Sequence, residues 1–73
     1  MAVPTFEIFQ GRFEEHDRVR WVECVEGLGA GVERMKLLAV EEPGPYFVFC
    51  TRTHQVLAKI DTSDAAGAKF DVA

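Results

Sequence analysis

Four side chains in this sequence have the chemistry to hold a metal or act as a nucleophile: Cys24, Cys50, His16 and His54. A structural zinc site draws its ligands from short knuckles, two pairs each separated by two to four residues, because one turn of chain must bring both donors to a single tetrahedral centre. Only Cys50 and His54 approach that spacing, and no second pair accompanies them. The same two residues suggest a Cys/His dyad, in which an imidazole withdraws the thiol proton. Such a dyad also needs an orienting third group, donors for an oxyanion and a cleft that excludes water. Nothing in the sequence supplies these. The residues read better as two thiols on strands, acting as small hydrophobes, and two loop histidines. The chain is therefore expected to hold no metal or cofactor and to catalyse no reaction.

The glycines of "GLGAG", residues 27–31, follow a Val-rich run and precede a helical pattern, as a dinucleotide loop would. That loop requires G-x-G-x-x-G, so that the backbone can approach a pyrophosphate at the helix N-terminus, with an acid about 20 positions on for the ribose. Counting from Gly27 or Gly29, the third glycine position holds Val32 or Arg34, and no acid lies between Pro43 and Ile60. The glycines read as a strand-to-helix turn, with Gly27 at a special backbone angle and Gly29 or Gly31 letting the helix start close to a sheet. The acids Glu14, Glu15 and Asp17 read as the solvated tip of a hairpin.

The elements that position these residues follow from periodicity. "TFEIFQ" alternates apolar and polar residues from Thr5, so a first strand is predicted over about residues 5–12. "GRFEEHDR" is a charged hairpin connection, and "VRWVECVE" is a second strand over about 19–26. Leu28, Val32, Met35, Leu38 and Ala39 recur at intervals of three and four, which predicts a helix over 28–41 that ends at "EEPGP". Leu37 and Val40 fall outside that stripe. "YFVFCT" predicts a third strand, interior and covered on both faces, with Phe47 and Phe49 on one side and Tyr46 and Val48 on the other. "VLAKID" predicts a fourth, over about 56–62. Residues 63–73 are small and polar apart from Phe70 and Val72, and are expected to form a mobile or loosely docked tail.

The fold class predicted is α+β: a two-layer domain over residues 1–62, with a four-stranded, mostly antiparallel sheet in the order β-β-α-β-β and one helix packed on one face. The succession "VRWVECVEGL", "ERMKLLA", "PGPYFVF" and "VLAKIDT" resembles that of short bacterial proteins of β-β-α-β-β type known only as uncharacterised domains. The resemblance covers about residues 5–62. It implies the fold and brings no activity or functional residue.

A net charge of −4 with no basic face disfavours nucleic acid, whose phosphates are bound by clustered cations. No basic leader precedes an apolar run and no apolar stretch reaches membrane-spanning length, so a soluble, cytoplasmic protein is expected. What remains is surface: a sheet covered by one helix leaves a second face and two edges, which soluble monomers seldom leave bare. The expected function is a small protein-interaction module that self-associates as a homodimer, with Leu37, Val40, Tyr46, Phe47 and Trp21 as its candidate surface. The alternative is a domain that holds a small molecule on the open sheet face, against Tyr46, Phe47 or Trp21.

Overall fold

The computed structural model describes residues 4–63 and 69–72, with no side-chain description for His16 or for 69–72. Four strands and a helix follow the predicted order: β1 (Thr5–Gln10), β2 (Arg20–Glu26), α1 (Leu28–Glu41), β3 (Pro45–Cys50) and β4 (Gln55–Asp61). The helix matches its predicted bounds, and each strand ends within two residues of expectation. Within the segment read as a tail, Lys69–Val72 form a further strand, β5, antiparallel to β4. Residues 64–68 and 73 of that segment lie outside the described residues.

The sheet order is β2-β1-β3-β4-β5, with every neighbouring pair antiparallel. β1 is thus interior although it comes first in the chain. It lies between β2 and β3, which run parallel to each other, and α1 carries the chain across it. Two hairpins, β1–β2 and β3–β4, meet along the β1–β3 ladder, where Glu7 to Gln10 face Phe49 to Tyr46.

Alternation along the strands sorts their side chains to two faces. Phe6 and Ile8 of β1, Tyr46, Val48 and Cys50 of β3, and Ala58 and Ile60 of β4 point toward α1. The helix answers with Met35 and Ala39, flanked by Val32 and Leu38. Ile8, Met35 and Val48 are wholly buried, so this layer is close-packed at its centre. Gly31 is the helical residue above β1 and β3: a Cβ placed there would stand 3.7 Å from Val48 Cγ1 and 4.0 Å from Phe6 Cβ. At Gly29 a Cβ would meet nothing within 4 Å, so of the two glycines it is Gly31 that faces the sheet. Leu28, the first member of the predicted stripe, is 38% exposed at the helix start.

Both helix ends are fixed locally. Gly27 enters the helix with φ 87°, a conformation that costs a side-chain-bearing residue about 1 kcal/mol or more, and its amide donates to Pro4 O at 2.9 Å. At the far end Thr62 ties three segments together. Its hydroxyl donates to Ala39 O at 2.7 Å and accepts from Gly44 N at 3.1 Å, so a residue just past β4 satisfies a terminal carbonyl of α1. Tyr46 adds a second tie, its hydroxyl donating to Glu42 O at 2.6 Å.

Candidate functional site

The helix-free side of the sheet carries a cluster of rings. Phe9 of β1 and Phe47 of β3 are cross-strand partners and stack with centroids 5.2 Å apart, while Phe49 meets Phe9 edge-on at 6.2 Å. Above them lies Phe13, from the loop between β1 and β2. It contacts Phe47 edge-on at 5.7 Å and stacks on Phe49 at 6.1 Å. His54, in the β3–β4 turn, stacks on Phe49 at 6.2 Å. Offset and edge-on pairs of this kind each add about 1 kcal/mol beyond simple burial. They explain why Phe47, on a face without a helix, is only 3% exposed.

Charged groups fasten that loop over the rings. Arg12 bonds Asp61 at 2.7 Å and lies 3.8 Å from Glu15, and Lys59 lies 3.8 Å from Glu14. These pairs are largely exposed and individually weak. Their common effect is to hold the loop against β4, with Phe13 inward. Asp61 is held below the usual carboxylate range, first by hydrogen bonds from the Ser63 hydroxyl and amide and then by Arg12. Of the acids read as a solvated hairpin tip, Glu14 therefore pairs with a cation across the fold, and Glu15 with Arg12 within the loop.

At the margin of the ring cluster stands Trp21, cross-strand from Phe9 and 56% exposed, its indole N–H donating to the Glu7 carboxylate. Cys24 is exposed on the same side of β2, opposite Glu7.

The five residues of the predicted interaction surface fall into three environments. Leu37 and Val40 lie on the outer side of α1, 54% and 75% exposed. Trp21 and Phe47 share the helix-free face, Trp21 open and Phe47 roofed by Phe13. Tyr46 lies on the other face, 2% exposed between sheet and helix, and cannot line a pocket with Phe47 or Trp21. Alternation along β3 separates neighbours 46 and 47 by the full thickness of the sheet. Burial raises the Tyr46 hydroxyl above its ordinary pKa, and the nearby Glu42 charge adds to the shift. The sequence reading missed Phe9 and Phe13. Phe9 continues the β1 alternation onto the helix-free face, and Phe13 is a lone aromatic within a charged loop.

The residues first considered for chemistry are dispersed. Cys50 belongs to the core beneath the helix, whereas His54 stacks on the opposite face, so the sheet divides the two residues considered as a dyad. Hydrogen bonds from the Thr53 side chain and backbone pull the Cys50 thiol below its ordinary pKa. Cys24 and Cys50 are both free, on strands separated by β1. The side chain of His16 lies outside the described residues. Among the described residues, no three of His, Cys, Asp and Glu converge as metal ligands, and no helix is long and apolar enough to cross a membrane.

Comparison with models of protein families, with characterised proteins and with solved structures found no match to this chain.

Proposed function

We propose that this protein is a small interaction module that associates with a second copy of itself. The observation that supports this most directly is Trp21, more than half exposed beside the ring cluster on a strand with no outer neighbour among the described residues. A large aromatic at a bare sheet edge is a liability for a monomer and an anchor for an interface. Size points the same way. A 73-residue chain buries a modest share of its surface, and a contact of about 800 Å² per partner offsets that marginal stability. Leu37 and Val40 on the helix form a secondary patch, since scattered exposed apolar residues are ordinary.

The competing reading places a small molecule on the helix-free face. It is less favoured because Phe13 already occupies the centre of that face, and a ligand would have to displace it. The cytoplasm is the proposed compartment, in keeping with two free thiols.

Light scattering coupled to size exclusion at tens of micromolar tests the proposal. The wild type is expected to elute as a dimer, Trp21→Glu to shift toward monomer, and Leu37→Glu to remain dimeric. A wild-type monomer of 8.2 kDa overturns self-association, and a dimer broken only by Leu37→Glu moves its interface to the helix.

A further inference from the structure

Building on that self-association, the geometry points to the outer edge of β2 as the contact: we infer that two copies pair this strand antiparallel about a two-fold axis, with Cys24 facing the partner's Cys24. Among the described residues β2 is the longer of the two sheet edges, seven residues against four in β5. Two identical edges joined by a two-fold form one continuous sheet, in which each contact occurs twice.

Side-chain direction then restricts the register. Residues directly opposite each other in a sheet share a face. The β1–β2 ladder is irregular between Ile8 and Phe9: Ile8 pairs Glu23 while Phe9 pairs Trp21, leaving Val22 as the extra residue of a bulge. Beyond it the strand is regular. Glu23 and Val25, opposite Ile8 and Phe6, point to the helix side, and Cys24 and Glu26 point to the helix-free side. A two-fold that keeps both helices on the same side of the joined sheet must therefore pass through a residue of this regular run.

Three centres place most of that run in the ladder. Centring on Glu23 opposes two carboxylates directly, which is unfavourable. It also sets Val25 against the partner's Trp21, which the bulge has turned to the other face. Centring on Val25 sets Gly27 against Glu23, within the regular run, where φ 87° breaks the extended chain. Centring on Cys24 opposes Cys24 to Cys24 and Glu23 to Val25 twice, all within the regular run and sharing a face, with no like charges directly facing and the bulge at Val22 outside these pairs. Glu23 also keeps its ion pair with Arg34 at 2.6 Å. Trp21 then reaches the turn at the partner's Gly27, beside the half-exposed apolar side chain of the partner's Leu28.

Opposed residues in an antiparallel pair have Cα atoms about 4.5–5.5 Å apart, within the range that a disulfide spans. Cysteine cross-linking therefore reads the register. The full-length chain is treated under native conditions with a thiol oxidant such as diamide and analysed without reductant, alongside Cys24→Ser and Cys50→Ser. The expected result is a species of twice the chain mass in the wild type and in Cys50→Ser, and none in Cys24→Ser. Cys24→Asp, which places two carboxylates on the axis at an exposed and tolerant position, is expected to weaken the dimer about tenfold or more while the circular dichroism spectrum stays native. A dimer by light scattering that forms no Cys24 cross-link, or that is indifferent to Cys24→Asp, overturns the β2 edge and leaves self-association standing. A monomer throughout overturns both.

Discussion

The two faces of β3 are built from the same six residues in opposite ways. Toward the helix, Val48 lies among Ile8, Met35 and Ala39, aliphatic groups with no exposure, and the covering element is a regular 14-residue helix. Away from it, Phe47 and Phe49 lie among rings, and their cover is a loop that contributes one aromatic side chain and a few exposed ion pairs. One face is closed by area and close packing, the other by shape and local fastening. An aromatic cluster buries a strand with far less covering chain than an aliphatic one requires, because each ring is large and ring pairs add attraction of their own. The cost is an unfinished margin, which Trp21 marks.

That contrast is broken most severely at Val48. Val48→Asp places a carboxylate in an aliphatic layer with no partner and is expected to cost several kcal/mol, enough to unfold a domain of this size. A melting temperature within a few degrees of the wild type would show that the helix-side layer is not closed. Phe13→Ala tests the other face. It removes the roof but leaves Phe9, Phe47 and Phe49 in place, and is expected to cost about 1–2 kcal/mol by urea unfolding, below the value for a fully buried Phe because Phe13 is 37% exposed. No loss of stability would mean that the loop does not cover the rings. The smallest effect is expected from pH. The Tyr46 hydroxyl titrates above its ordinary value in the folded chain and near 10 in the unfolded one, so between the two the native state holds a proton that the unfolded state has lost. Stability from this group is complete below about pH 10 and declines as pH rises through the folded value. Tyr46→Phe is expected to flatten that alkaline decline, and an unchanged slope would assign it to other groups.

Much of the fold was legible because local rules agreed with the outcome. The i, i+3, i+4 stripe and Pro43 set the helix bounds, and the alternation in "YFVFC" sorted Tyr46 and Val48 from Phe47 and Phe49. Gly27 was legible as a turn residue, since its backbone angle favours glycine. Strand order was not legible, because the β1–β3 ladder joins residues far apart in sequence and no local pattern encodes it. Lys69–Val72 escaped because a short, polar segment with a glycine reads as irregular. The alternation of Phe70 and Val72 about Asp71 was its only signal. Of the candidate surface, Trp21, Leu37 and Val40 were identified by apolar character at unpartnered positions, and all three are exposed. Phe47 and Tyr46 were named for the same character and are buried, because what covers a strand depends on elements elsewhere in the chain.

The interior position of β1 has a kinetic consequence. Each hairpin closes over a short loop, and its pairing is within reach of local diffusion. The ladder between Glu7–Gln10 and Tyr46–Phe49 instead joins segments about half the chain apart, and the helix-side layer spans it. By chain length alone, closing that seam costs about 1 kcal/mol more loop entropy than closing either hairpin. Until the seam closes, the inner edges of β1 and β3 are both unpaired, and a β1 edge from one molecule is open to the β3 edge of another. Exchange of hairpins between chains is therefore the misassembly to which this strand order is most prone.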